Sequence, residues 1–172
     1  MTFVPAKQRL EPWSWLGVPF LICAIASVLL TVPIRAFGVG LPQPVLALVL
    51  AFAWAVIRPS VLAPFLLMLF GLFLDLLWGG PIGLWGLALV AAYGLILAVR
   101  PTLTGRGIAV LWIWYAAACL LAFGVGVLIT FAKTSEIPNP WSLGWQILIT
   151  ILLYPFAGRL IARYEDADVR FR

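Results

Sequence analysis

Chemistry in this chain has few places to reside. Asp75 is the only acidic residue between Glu11 and Glu136, and it sits inside an apolar run, GLFLDLLWGGPIGLWGL (71–87), a few residues ahead of a Gly-Gly-Pro turn. An ionisable group at membrane depth ordinarily marks a proton relay, an ion path or a catalytic carboxylate. Each of those roles needs company that is missing. An intramembrane protease requires a second aspartate, a Ser-His couple or a metal, and the chain has no histidine. Cys23 and Cys119 both fall in apolar runs without the spacing of a redox pair or a zinc site. No enzyme, metal centre or cofactor is expected. Polar groups for holding a small molecule do exist in Gln43, Tyr93, Tyr115, Gln146 and Tyr154.

The elements that must position these residues are membrane helices. Of 172 residues, 65% are hydrophobic and 10% charged, and mean hydropathy is +1.13, far from the balance of a soluble domain. The net charge of +5 does not point to nucleic acid, because the basic residues stand singly at the ends of apolar runs. Nor do those runs alternate polar with apolar, as a membrane β-barrel would. A bilayer core of about 30 Å needs about 20 helical residues to cross. The uncharged runs predict six spans, 15–34, 41–57, 61–78 (carrying Asp75), 82–99, 108–132 and 141–158, in one all-α transmembrane domain over 1–172. Proline, glycine or charge punctuates every gap.

Cytoplasmic loops are enriched in Lys and Arg. Six spans put nine basic residues on one side (Lys7, Arg9, Arg58, Arg100, Arg106, Arg159, Arg163, Arg170, Arg172) and two on the other (Arg35, Lys133). Both termini are therefore expected in the cytoplasm, 159–172 as a tail. Trp13, Trp15, Trp78, Trp141 and Trp145 fall near the expected interfaces, as an aromatic belt does. The small-residue stretch Ala24–Ser27 imitates a signal-peptidase site, but the apolar run continues through Leu29, Leu30 and Val32, so an uncleaved first span is expected. No internal repeat suggests two inverted halves.

Small residues four apart let membrane helices approach closely. Two such ladders occur, Ala47, Ala51 and Ala55 in the second span and Ala118, Ala122 and Gly126 in the fifth. Asp75 opposes insertion of its span by about 2.5–3.5 kcal/mol, against roughly 4–7 kcal/mol from the Leu, Phe and Val residues around it. Insertion survives the charge. On an outward-running third span, Asp75 lies in the last turn, where the helix's own dipole disfavours a negative group. Gly79 and Gly80 permit a tight reversal, and Pro81 suits the first turn of the next helix. The carboxylate is expected to accept hydrogen bonds from free N–H groups around Gly80, Ile82 or Gly83, with Arg35 as the competing partner. On that reading Asp75→Asn is mild and Asp75→Leu is not. A direct contact with a partner protein is the alternative role.

The stretch from about Pro42 to Arg100 resembles the MreD family of bacterial inner-membrane rod shape-determining proteins. The matching features are Pro44 opening an apolar run, AWAVIRP (53–59), then GLFLDLLWGGPIGL (71–84), with Leu87 and Tyr93 following. The most specific block is 71–87, which includes Gly71, Asp75, Gly79, Gly80, Pro81 and Gly83; LLYPFAGRL (152–160) matches more weakly. The resemblance implies a six-span, non-catalytic subunit of the elongation complex in the cytoplasmic membrane. Its implied partners are MreC foremost, then MreB, RodA and the transpeptidase that works with RodA, and its task is to guide lateral-wall peptidoglycan synthesis. The family is similar in fold to the helical bundle of the substrate-binding S-components of vitamin transporters, which supplies the alternative function. S-components dock their coupling subunit through an AxxxA pattern on the first helix. Here Ala24 is followed by Val28 and Ala26 by Leu30, a departure that counts against the transporter.

Overall fold

In a computed structural model, the structure describes residues 16–31, 35–36, 39–40, 43–57, 59–103, 107–135, 139–159 and 161. Among these, six helices account for nearly all regular structure: α1 (Val18–Thr31), α2 (Ala47–Ile57), α3 (Leu62–Trp78), α4 (Leu84–Leu103), α5 (Ile108–Thr134) and α6 (Pro140–Leu152). Between α1 and α2 lies a two-residue antiparallel ladder, β1 (Arg35–Ala36) with β2 (Val39–Gly40), a small exception to the all-α expectation.

Turn chemistry sets several helix ends. Ser60 Oγ accepts the Leu62 N–H (3.2 Å) ahead of α3, and Asn139 Oδ1 accepts the Trp141 N–H (3.0 Å) ahead of α6, where Pro140 takes the first position. Gly79 (φ +66°) and Ser135 (φ +55°) end α3 and α5 in the left-handed conformation that closes helix C-termini.

Four boundaries differ from the sequence expectation, three of them for identifiable reasons. Helix α2 begins at Ala47 instead of residue 41, because Pro44 lacks a donor and pushes Gln43 out of helical geometry. Helix α4 begins at Leu84, so Pro81 lies before it, in the turn, with its carbonyl accepting the Leu84 N–H (3.1 Å). It also continues through Arg100 and Pro101 to Leu103. The sixth helix is interrupted at Leu153, just before Pro155, and resumes to Arg159.

The bundle is built around α2, whose residues Ala47 to Ala55 are all buried. Helix α4 packs on α2, α3 and α5, while α1 and α6 stand at the periphery. Their outward faces are largely apolar: Leu21, Ile22, Ile25 and Leu29 on α1, Trp141, Trp145, Leu148 and Leu152 on α6. Such faces suit lipid and not water. Leu84–Leu103, Ile108–Thr134 and Pro140–Arg159 are long and apolar enough to cross a membrane; α1, α2 and α3 are shorter apolar helices. The architecture is that of a helical membrane protein. Helix α2, about 16 Å long, covers only part of a core of about 30 Å.

Candidate functional site

Asp75 is 1% exposed, in the last turn of α3. Its Oδ2 accepts the Gly83 N–H at 2.7 Å and its Oδ1 accepts the Trp85 N–H at 3.0 Å. Its main-chain carbonyl also receives the N–H groups of Gly79 and Gly80, the latter at 3.0 Å. One residue thus closes the end of α3 and the start of α4 together.

Helix α4 has no capping side chain of its own at Gly83, whose φ of +91° favours glycine. The Asp75 carboxylate does the work from across the turn. It takes the second N–H of α4, as a capping side chain would, and also the N–H of the residue before the helix, as the glutamate of a capping box would. The positive end of α4 stabilises the charge that α3's own dipole disfavours. Of the three donors expected from the sequence, Gly83 serves the carboxylate, Gly80 serves the main-chain carbonyl, and Trp85 takes the place of Ile82. Trp85 was hidden because the fourth span was expected to start at residue 82; Gly83's positive φ moves the start to Leu84.

The two helices touch backbone to backbone one level deeper. A Cβ on Gly71 would lie 2.2 Å from the Gly86 nitrogen and 2.3 Å from its Cα, and a Cβ on Gly86 would lie 2.6 Å from Met68 Sδ. Gly86 escaped the sequence reading, yet a signal existed: Gly71 and Gly86 are equidistant from the Trp78–Gly79 bond, so an antiparallel hairpin sets them face to face. Trp85 packs edge-on against Trp78 and against Phe123 of α5, ring centroids 5.5 Å apart in both cases. Lys133 Nζ donates to the Ile82 carbonyl (3.0 Å), tying the end of α5 to the turn. The side chain of Arg35, the competing partner, lies outside the described residues.

Both small-residue ladders are buried. On α5 the ladder turns inward to α4, since a Cβ on Gly126 would meet Leu84 Cδ2 at 3.4 Å. On α2, Ala47, Ala51 and Ala55 mark no particular face, because every residue between them is buried as well.

The polar candidates split into two groups. Tyr93 exchanges hydrogen bonds with the Ser60 N–H and carbonyl (both 3.3 Å), and Arg100 donates to the Val56 and Ile57 carbonyls (3.2 and 3.4 Å) at the open end of α2. Tyr154 donates to the Ile108 carbonyl (3.3 Å), while Gln43, Tyr115 and Gln146 meet around Thr150, which sequence reasoning passed over as an ordinary helix residue. Thr150 Oγ1 accepts the Val45 N–H (3.2 Å) and donates to the Gln146 carbonyl (2.7 Å), while the Thr150 carbonyl accepts the Tyr115 hydroxyl (3.0 Å). Gln146 Nε2 donates to the Gln43 carbonyl (3.0 Å), and Gln43 Nε2 to that of Thr31 (3.3 Å). This seam satisfies the non-helical backbone ahead of α2 from within the protein, as backbone inside a bilayer requires. Comparison with family models, characterised proteins and solved structures gives no match to this chain.

Proposed function

We propose that the chain is a non-catalytic scaffold subunit of the bacterial elongation complex, crossing the cytoplasmic membrane six times with both termini inside. The observation that carries this reading is the use to which the 71–87 block is put. Its one carboxylate is buried, with both oxygens bonded to main-chain N–H groups of the same hairpin. A group so engaged is poorly placed to relay protons or grip a substrate, whereas it fixes the shape of a surface. The block that resembles the MreD family is then a device for holding two helices in one register, and the outward apolar faces are what a membrane-embedded scaffold offers its partners. MreC is the foremost expected partner, with MreB, RodA and its transpeptidase in the same assembly.

Depletion in a rod-shaped bacterium tests the reading: cells should round up, and the elongation complex should be lost from the membrane fraction. Normal shape combined with failed uptake of a vitamin would overturn it in favour of an S-component. Reporter fusions after Gly38, Gly105, Pro138 and Arg172 should alternate outside, inside, outside, inside. An extracytoplasmic C-terminus would sink the six-span topology.

A further inference from the structure

Two helix interruptions meet at Thr150. Helix α2 starts late, with the Val45 N–H bonded to Thr150 Oγ1. The sixth helix breaks just beyond it, where the Leu153 N–H turns to the Thr150 carbonyl (3.1 Å) and the Phe156 N–H to the Leu153 carbonyl (2.9 Å). Those three-residue steps make one tightened turn within the helix, Leu153 keeping φ −75° and ψ −4°, and Pro155 has no N–H with which to restore the regular bond to Ile151. A three-residue turn inside a helix often marks a hinge, and here it stands beside a proline.

We propose that residues 150–156 are a hinge, and that Tyr154–Arg159 is an arm docked by the buried Ala157 and by two hydroxyl groups. Tyr115, fully buried on α5, donates to the Thr150 carbonyl at the turn. Tyr154, on the arm, donates to the Ile108 carbonyl at the start of α5 (3.3 Å). The ring of Tyr154 stacks on Trp112, centroids 6.0 Å apart at 24°, and lies 5.8 Å from that of Tyr115. The opposite side of the arm is open: Phe156 is 59% exposed, with the Arg159 guanidinium 5.8 Å from its ring centroid. The arm is therefore fastened along one side by Tyr154 and the buried Ala157, and exposed on the other. In the second position the three-residue turn loosens, and the Tyr154 hydroxyl leaves Ile108. A protein that grips Phe156 and Arg159 selects between the two and reaches α2 through Thr150.

Distances between spin labels on the full chain in nanodiscs test this, with Cys23→Ser and Cys119→Ala as background. One pair, Val61→Cys with Phe156→Cys, spans the hinge; the control pair, Val61→Cys with Leu148→Cys, stops short of it. The hinge pair should show a second distance that grows roughly fivefold in population in Tyr115→Phe and in Tyr154→Phe, the shift expected for one ordinary hydrogen bond, and grows also in Pro155→Ala. The control pair should keep one unchanged distance in all three variants. A single hinge-pair distance that stays fixed in Tyr154→Phe and Pro155→Ala overturns the proposal. So does a control pair that shifts along with the hinge pair, since the whole helix would then be moving.

Discussion

The α3–α4 hairpin and α6 are both apolar and both carry buried hydrogen bonds, yet they are held by different means. In the hairpin the contact is main chain against main chain. Gly71 faces Gly86 with no room for a methyl group, and one carboxylate joins two helix ends over spacings of eight and ten residues. Helix α6 is joined by side chains alone, through Thr150, Gln146 and Tyr154, to partners 35 to 105 residues away. Most of its apolar surface faces outward. A backbone contact has no rotamer with which to yield, so it fixes register, while side-chain ties give and re-form. By that argument the hairpin is the more tightly fixed of the two in register, and α6 the less.

The largest effect should come from adding one carbon at the hairpin crossing. In Gly71→Ala the new Cβ would fall 2.2–2.5 Å from the main chain of Trp85 and Gly86, which cannot rotate aside. The helices must separate, at a cost of about 3 kcal/mol. Reversible unfolding in bicelles reads this directly, and a loss below about 1 kcal/mol would show that the hairpin is no more rigid than α6.

Next comes the clasp. Asp75→Leu leaves the Gly83 and Trp85 N–H groups without their acceptor and should cost about 2–3 kcal/mol. The geometry revises the expectation that Asp75→Asn is mild. Each carboxylate oxygen takes its own N–H donor, so an asparagine, with one oxygen and one NH2, must set a donor against a donor on one side. Asp75→Asn should fall between wild type and Asp75→Leu, at about 1–2 kcal/mol. The same unfolding measurement made on the three proteins orders them, and equal stabilities would remove the clasp from the comparison.

The contrast also explains what could be seen in the sequence. The hairpin was legible because its partners are close in sequence and its turn is spelled out by Gly79, Gly80 and Pro81, so a lone acid one turn from a helix end had an obvious place to go. Only the finer register was lost, to Gly83's positive φ, which no pattern of apolar residues encodes. The Thr150 seam was illegible for the opposite reason. Thr150 and Val45 lie 105 residues apart, and nothing in either segment names the other. Helix boundaries failed where proline decides them, at Pro44 ahead of α2 and Pro155 within α6, because apolar runs continue across both sites. Hydropathy reports which residues avoid water and is silent on where the backbone stops being helical.

At the seam, Thr150→Val keeps the shape of the side chain and removes the acceptor of the buried Val45 N–H. It should cost about 1–2 kcal/mol, and Thr150→Ser distinctly less, since the hydroxyl remains. Hydrogen exchange at Val45 checks the cause. Protection should fall in Thr150→Val while that at Gly83 and Trp85 is kept, which would separate the two regions. Loss of protection in both would mean that the hairpin and α6 form one cooperative unit.

The smallest effect gives the sharpest contrast, because it repeats the first substitution in the other region. Gly144 lies in α6 with nothing within 4 Å of where a Cβ would stand. Gly144→Ala therefore meets no clash, and alanine recovers up to about 1 kcal/mol of helix propensity that glycine forgoes. The isolated protein should be unchanged or slightly more stable, the reverse of Gly71→Ala. A glycine kept on an outward helix face at that expense suits close approach by another membrane helix. If α6 is a face on which the proposed scaffold holds a partner, Gly144→Ala should leave the melting curve of the purified chain in place and reduce the amount of partner recovered with it from native membranes. Full recovery of the partner together with a raised melting temperature would assign the open side of α6 to lipid.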